Sequence, residues 1–155
     1  MPLDFVSYLY YTHSIIFSAM RPNKGYRTVY SLKCHLVLVT KDRCKIIDAA
    51  ILERLHKIML AICDKWNCRL ESFNGDENHV YLRIDFPPDV QLSKLVNNLK
   101  TVSSRLIRKE FKTCLDASCQ TAFWHGTYYI ASCGDMTVEQ LKEYVEQENS
   151  HSLGH

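Results

Sequence analysis

The apolar residues of this chain repeat with two different periods, and the order of those periods limits the folds that the chain can adopt. Residues Tyr30–Thr40 alternate between two faces, which is typical of a β-strand. In Asp48–Trp66 and in Gln91–Phe111 the apolar residues recur every three or four positions, which predicts two amphipathic helices. Shorter strands are predicted at Arg69–Phe73, His79–Phe86 and Tyr128–Ser132, and a last helix is predicted to begin at Thr137 with a capping-box pattern.

The predicted order of elements is strand, helix, strand, strand, helix, strand, helix. This order is typical of an α+β fold of the ferredoxin-like or split-βαβ type, in which an antiparallel sheet carries helices on one face and leaves the other face for a ligand. Asn74–Asp76 is predicted to be the turn between the second and third strands, and Thr113–Gly126, which has no clear period, to be a loop. In the first strand we expect Leu32, Cys34, Leu36 and Leu38 on one face, and Lys33, His35, Val37 and Val39 on the other.

The composition is that of one globular domain, with 155 residues of which 46% are hydrophobic. We predict an N-terminal extension at 1–25, one domain at 26–150 and a tail at 151–155. The seven cysteines form no C-x-x-C pair, which argues against zinc and against a disulfide framework and indicates a reducing cytoplasm. The first twenty residues lack the cationic start of a secretory signal and any apolar stretch long enough to cross a bilayer, so no membrane partner is expected.

Charge is segregated along the chain, although the formal net charge is only +2. Between Arg21 and Lys45 there are seven cations and a single acid, Asp42. The predicted last helix and the turn before it are acidic, with Asp135, Glu139, Glu143, Glu146 and Glu148 against Lys142. A basic segment near the N-terminus and an acidic segment near the C-terminus indicate that one surface binds a polyanion and another binds a cation.

Two short segments place chemistry-bearing side chains together. Alternation in the third strand puts His79, Tyr81, Arg83 and Asp85 on one face, opposite the apolar Val80, Leu82 and Ile84. Taken alone, a solvated sheet face with one histidine gives the same pattern. In the last helix, Gln147 and Glu148 lie three and four residues beyond Tyr144, so a phenol and oxygen ligands share one side of the helix.

Several further segments carry a resemblance to a known family, in which they occur in the same order. They are Cys34–Arg43, the strand around His79, Leu95–Arg105, Trp124–Ser132 and Leu141–Glu146. On these segments the chain resembles the single-tyrosine HUH transposases, the TnpA-type enzymes of the smallest bacterial and archaeal insertion sequences. The resemblance implies a fold whose C-terminal helix carries a catalytic tyrosine, and an enzyme that cuts and rejoins single-stranded DNA at a hairpin through a 5′-phosphotyrosine intermediate.

The family motif is carried over at named positions. The resemblance implies that Tyr144 is the nucleophile and that His79 is the first histidine of the HUH motif, a ligand of Mg²⁺ or Mn²⁺. Tyr81 stands where the second histidine is expected, and Glu148 stands where a glutamine is expected, with Gln147 displaced by one position. A neutral phenol is a poor ligand for these cations, whereas a carboxylate is a good one. The resemblance also implies a homodimer and no nucleotide cofactor.

Basic and aromatic residues are candidates for contact with a single strand of nucleic acid. Two alternatives stay open: a hairpin-binding protein of the same fold that has lost cleavage, and an RNA-recognition domain, which the lack of paired aromatic strand motifs disfavours. The candidate DNA-binding residues are Lys33, Lys41, Arg43, Lys100, Arg105, Arg108 and Trp124, with Tyr128 or Tyr129 as further stacking residues.

Overall fold

A computed structural model describes residues 23–25, 27–115, 119–133 and 143 of the chain. The chain divides into two compact parts, 1–31 and 32–155, which are described separately. In the first part, β1 (Asn23–Lys24) pairs antiparallel with β2 (Val29–Tyr30).

Several predictions fall outside the described residues. They concern the first twenty residues, the tail at 151–155, and the helix predicted from Thr137 with Tyr144, Gln147 and Glu148. The domain limits at 1–25, 26–150 and 151–155 therefore stay a prediction.

The second part is a four-stranded sheet with two long helices. The sheet order is β4-β5-β3-β6, and every neighbouring pair is antiparallel. β5 lies between β3 and β4, which are joined through a helix, and this is the split-βαβ arrangement. The predicted α+β, ferredoxin-like fold is therefore confirmed. The elements are β3 (Lys33–Thr40), a 3-10 turn (Lys41–Arg43), α1 (Ala49–Lys65), β4 (Arg69–Asp76), β5 (His79–Asp85), α2 (Leu92–Glu110) and β6 (Trp124–Ser132).

One sheet face packs against both helices and forms the core. Leu36 and Leu38 of β3 are fully buried there beside Val80 and Leu82 of β5, as the alternation predicts. The helices contribute the apolar stripes that the sequence predicts, among them Leu55, Met59, Leu95, Leu99 and Ile107. The side chain of Asp48 accepts a 2.8 Å hydrogen bond from the backbone N–H of Ile51 and so caps α1.

Leu32 departs from the predicted strand. We expect it on the core face with Cys34, but β3 begins at Lys33 and the side chain of Leu32 is 38% exposed. The alternating pattern runs on through Tyr30–Leu32 although the strand does not. The prediction of one continuous strand from Tyr30 is therefore wrong.

The predicted turn at Asn74–Asp76 is also wrong. β4 continues to Asp76, which pairs with His79, so that Glu77 and Asn78 form the reversal. A Cβ on Gly75 would lie 2.5 Å from Cδ1 of Leu52 on α1 and 3.1 Å from the carbonyl oxygen of His79. Gly75 therefore serves close packing of the helix on the hairpin rather than a turn.

The segment after α2 contributes to the core, although it has no sequence period. Leu115, Cys119 and Phe123 are buried within the predicted loop, and β6 begins at Trp124 instead of Tyr128. Phe123 and Trp124 meet edge to face with ring centroids 4.7 Å apart. These side chains fill the end of the core one by one, which leaves no regular repeat to detect.

All seven cysteines lie in the described part of the chain as free thiols. Burial raises the pKa of Cys34 and of Cys63 to about 12. Among the described helices, none has the length and apolar character required to span a membrane.

Candidate functional site on the polar sheet face

The sheet face that points away from the helices carries His35 and Val37 on β3 and His79, Tyr81 and Arg83 on β5, and we call it the polar face. Because directly opposed residues of antiparallel strands share a face, the register places Arg83 beside His35 and Tyr81 beside Val37. Val37 is only 2% exposed and His35 only 7%. The centre of this face is therefore buried, which corrects the expectation of a face left fully available for a ligand.

His79 lies at the end of the polar face, as the first residue of β5. Its imidazole is half-buried, and Nδ1 lies 3.0 Å from Oδ1 of Asn78. Burial lowers the pKa of His79; the charge of Asp76 opposes this effect, and that of Arg43 adds to it. A neutral imidazole is the form that binds metal ions, so His79 has the protonation state that a ligand requires.

Tyr81 turns its hydroxyl toward a second histidine. The hydroxyl lies 2.5 Å from Nδ1 of His35, and burial raises the pKa of Tyr81. Burial and the charge of Arg83 lower the pKa of His35. The register places His35 on the side of Tyr81 that is away from His79. This geometry gives the phenol a partner other than a metal held by His79.

His35 does not replace the missing second imidazole beside His79. On β3 it is four residues from Val39, which is the residue opposite His79. At a rise of about 3.4 Å per residue this separation is about 14 Å along the sheet. The two histidines therefore occupy different ends of the polar face.

An ionic cluster occupies the end of the polar face that is distant from His79. Glu71 lies at an irregularity in β4 and approaches Lys33 at 2.7 Å, Arg83 at 3.1 Å and Arg69 at 3.2 Å. Burial would raise the pKa of Glu71, but the hydrogen bond and charge of Lys33 outweigh it and lower the pKa. Arg69 also reaches the buried Asp85 at 2.9 Å. Lys33, a predicted DNA-binding residue, is thus largely buried in an ion pair.

Two predicted DNA-binding residues lie at the His79 end of the sheet. Lys41 and Arg43 belong to the 3-10 turn that follows β3. The turn is fixed to neighbouring strands, because the N–H of Lys41 donates to the carbonyl of Phe123 and the N–H of Thr40 donates to the carbonyl of Asn78. The structure therefore places the Lys41–Arg43 turn at the His79 end of the sheet.

The other predicted DNA-binding cations lie on α2, away from Lys41 and Arg43. Lys100 donates to the carbonyl oxygens of His125 and Gly126 at 2.8 and 3.0 Å, and burial lowers its pKa. Arg108 bonds Ser104 and the carbonyl oxygen of Gln120, while Arg105 is exposed. The helix packs on the core face of the sheet, so these residues do not lie on the polar face.

Trp124 does not present its ring for base stacking. The side chain is 6% exposed, and its Nε1 donates a 2.8 Å hydrogen bond to Oγ of Ser103 on α2. The expectation that Trp124 stacks on a base is therefore corrected, because its ring belongs to the core. Tyr128 is exposed at the surface of β6, with Nζ of Lys100 5.8 Å from its ring centroid.

The described residues contain no complete metal site. Within 23–25, 27–115, 119–133 and 143, no group of three or more histidine, cysteine, aspartate or glutamate side chains could hold a metal ion. His79 offers one ligand atom, and Tyr81 is bonded to His35. The described residues by themselves do not fit a complete site, and Glu148 and Gln147 lie outside them.

Two polar-face features do not follow from the sequence alone. Alternation places His35 on the correct face but does not indicate that it is the partner of Tyr81. No local pattern indicates Glu71, because its three cationic partners come from three different strands. The signal for both is the strand register, which a single sequence does not supply.

Comparison with known proteins gives consistent matches over most of the chain. The family model described as "Transposase IS200 like" matches residues 28–148. The transposases for insertion sequence element IS200 of Salmonella typhimurium and Salmonella typhi are each 22% identical over 121 residues, which cover 78% of this chain and 79% of the relative.

Two solved structures share the fold. A candidate transposase from Deinococcus radiodurans R1 superposes with a TM-score of 0.74 at 23% identity, covering 81% of this chain and 96% of that chain. A REP-associated tyrosine transposase bound to a REP hairpin has a TM-score of 0.51 at 10% identity, covering 79% and 68%. At these identities the superpositions establish the fold.

Proposed function

Because the chain belongs to the IS200-like transposase family, we propose that it cleaves and rejoins single-stranded DNA at the ends of an insertion sequence, with Tyr144 as the nucleophile. Tyr144 lies within the matched residues 28–148. The observation that carries the proposal is the position of His79, whose half-buried imidazole lies at the end of an inner strand. Burial lowers the pKa of this imidazole, so a ring nitrogen can act as a ligand.

The proposed reaction is a transfer of a phosphodiester to a tyrosine. The phenolic oxygen of Tyr144, which has a reference pKa of about 10 and must lose its proton, attacks the scissile phosphorus. The bond from phosphorus to the 3′ oxygen breaks, and that oxygen leaves as a 3′-hydroxyl after taking up a proton. A 3′-hydroxyl of another strand then attacks the phosphotyrosine and releases Tyr144, so no nucleotide cofactor is consumed.

A divalent cation is part of the proposal. His79 and Glu148, with Gln147 as a nearby oxygen donor, would hold Mg²⁺ or Mn²⁺, which polarises the scissile phosphate when it is bound. The role proposed for His79 is supported by burial, which lowers the pKa of its imidazole and favours the neutral form that binds metal ions. Glu148 is preferred over Gln147 because a carboxylate is the stronger ligand for a hard cation.

We propose a DNA hairpin as the substrate and a homodimer as the working form. The hairpin is supported by the related fold of a REP-associated tyrosine transposase that is bound to a REP hairpin. Lys41 and Arg43 near His79 provide positive charge for a phosphate backbone. Sedimentation equilibrium at several protein concentrations tests the dimer, and a monomer mass throughout would contradict it.

The test for cleavage uses a covalent adduct. The protein is incubated with Mn²⁺ and 5′- or 3′-labelled single-stranded hairpins that cover both flanks of its gene, then denatured and separated by electrophoresis. We expect a denaturation-resistant protein–DNA adduct that is lost in Tyr144→Phe. Tyr30→Phe, the same chemical change at a tyrosine of β2 that has no proposed role, should keep the adduct. An adduct that persists in Tyr144→Phe would contradict the assigned nucleophile.

A binding protein without cleavage is a second candidate, favoured by the contact between Tyr81 and His35. In this case the hairpin binds, but no adduct forms at any metal concentration. Tyr81→His distinguishes a weak metal site from a lost one. We expect the variant to raise the rate of adduct formation if Tyr81 merely weakens the site, and to leave it unchanged if the protein only binds DNA.

A further inference from the structure

We propose that Asn78 is a positioning residue, which holds the imidazole of His79 in the tautomer with its proton on Nδ1 and so leaves the lone pair on Nε2. The inference rests on the proposed function, because it names the atom of His79 that serves the active site. It adds to that site a side chain from the hairpin turn that precedes β5.

The first support is the contact between the two side chains. Oδ1 of Asn78 lies 3.0 Å from Nδ1 of His79, which is a hydrogen-bond distance, and both residues are partly buried. An amide oxygen only accepts hydrogen bonds, so the ring nitrogen that faces it carries the proton. In a neutral imidazole the other nitrogen, Nε2, is then unprotonated.

The second support is the anchoring of the turn that carries this amide. The turn consists of Glu77 and Asn78, between β4 and β5. The carbonyl oxygen of Asn78 accepts hydrogen bonds from the N–H of Thr40 at 2.9 Å and from its hydroxyl at 3.2 Å. The carbonyl oxygen of Glu77 accepts one from the N–H of Ile47 at 2.9 Å. The backbone beneath the Asn78 side chain is therefore held from two directions.

The third support is the backbone conformation of the turn. Asparagine is common in two-residue hairpin turns because the type I′ turn requires a positive φ, which asparagine tolerates. Among the described residues other than glycine, only Asp42, Arg43 and Asn67 have a positive φ. Asn78 therefore does not provide a left-handed backbone, and its described side-chain contact is the one with His79.

A fixed tautomer suits the role that the proposed function gives to His79. A ring nitrogen acts as a ligand only through its lone pair, and the hydrogen bond made by the opposite nitrogen decides which of the two keeps that lone pair. Such a partner also fixes the orientation of the ring. Its removal typically lowers metal affinity or activity by about 10- to 100-fold.

The tautomer of His79 is measured by NMR in the full-length protein, without metal or DNA. A two-bond ¹H–¹⁵N correlation spectrum separates protonated from unprotonated ring nitrogens, and the signals of His79 are those that disappear in His79→Gln. At about pH 8 the imidazole is neutral, since its reference pKa is about 6.5. His125 is an internal reference, because its Nδ1 accepts a 3.2 Å hydrogen bond from the backbone N–H of Thr127 and is therefore unprotonated.

Three variants separate the role of the amide from that of the turn. Asn78→Ala removes the acceptor but keeps the backbone carbonyl that Thr40 holds. Asn78→Asp keeps an acceptor and cannot donate at this pH. Glu77→Ala is the matched control, because it truncates the other side chain of the turn, which is 63% exposed. Urea unfolding checks that each variant is folded, and if Asn78→Ala is not, wild type and Asn78→Asp decide.

We expect wild type, Asn78→Asp and Glu77→Ala to show a protonated Nδ1 and an unprotonated Nε2 at His79. Asn78→Ala should show a mixture of the two tautomers, because no partner then fixes the proton. A protonated Nε2 in wild type or in Asn78→Asp would overturn the inference. The wild-type pattern in folded Asn78→Ala would overturn it as well.

The rate of adduct formation with Mn²⁺ and the labelled hairpin gives a second readout. Asn78→Ala should slow it about tenfold or more, while Asn78→Asp and Glu77→Ala stay within about twofold of wild type. Equal rates for Asn78→Ala and Glu77→Ala would contradict a positioning role. If wild type forms no adduct, the proposed cleavage fails, and the NMR spectrum alone then decides the role of Asn78.

Discussion

Replacing Ser103 by alanine tests whether Trp124 is a structural residue. Ser103 is fully buried on α2, where its Oγ accepts a 2.8 Å hydrogen bond from Nε1 of Trp124 and donates to the carbonyl oxygen of Leu99. Alanine removes the acceptor and leaves the indole N–H buried without this partner. The carbonyl of Leu99 is in the middle of the helix and keeps its backbone partner, so the indole carries most of the loss.

The expected cost follows from that single unpaired donor. A buried polar group that loses its partner costs about 1–3 kcal/mol. Alanine has a higher helix propensity than serine, which returns roughly 0.5 kcal/mol. We therefore expect the free energy of unfolding to fall by about 0.5–2.5 kcal/mol. With a urea m-value of about 2 kcal/mol/M, the midpoint should fall by roughly 0.3–1.3 M at an unchanged slope.

Urea unfolding followed by far-UV circular dichroism measures this change, with Ser93→Ala as the matched control. Ser93 is exposed in the first turn of the same helix, so its replacement should be nearly neutral. In Trp124→Phe the donor is already absent, and Ser103→Ala should then cost less than it does in wild type. Equal midpoints for Ser103→Ala and Ser93→Ala would refute the reasoning and would reopen a surface role for Trp124.

Three further predictions follow from packing, charge and burial. Gly75→Ala should lower the free energy of unfolding by about 1–3 kcal/mol in the same urea assay, because the new Cβ meets the carbonyl of His79 and the side chain of Leu52. Unchanged stability would contradict this close approach. Stability should decrease as the pH falls below 6.5, because burial lowers the pKa of His35 in the folded state and the unfolded chain then binds more protons. His35→Gln should flatten that slope, and an equal slope in the variant would exclude His35 as its source. Among the described thiols, the exposed Cys114 should react with Ellman's reagent in the folded protein, while Cys34 stays unreactive until the protein unfolds. Fast labelling of Cys34 in the folded protein would disprove its burial.

The parts of the fold that the sequence predicts well are those set by neighbouring residues. The start of the first long helix at Asp48 is an example, because in the structure the Asp48 side chain bonds a backbone group only three residues away. The alternation in β5 is another, since successive side chains of a strand point to opposite faces of the sheet. Both features can be derived without knowing which elements are adjacent in space.

The features that escape prediction depend on distant partners. Asn-Gly-Asp has good turn chemistry, yet Gly75 is required by Leu52 on a helix that packs against the hairpin. Trp124 has an aromatic ring that could stack on a base. Only its hydrogen bond with Ser103, which is 21 residues away in the sequence, assigns it to the core. Lys33 looks like a free cation until the sheet register brings Glu71 beside it. The candidate site is therefore only partly predictable. Strand alternation gives the sheet face on which His79 lies, whereas the partner of the Tyr81 hydroxyl, His35, comes from a neighbouring strand.

β5 is an inner strand with a hydrogen-bonded neighbour on each side, so its backbone is held in place whatever its outward side chains are. Tyrosine and histidine codons differ by one nucleotide. A lineage carrying this sheet can exchange the phenol at position 81 for an imidazole, and back again, without rebuilding the scaffold beneath it. A point mutation can therefore change which chemical group position 81 presents on the polar face, while the strand that carries it stays the same.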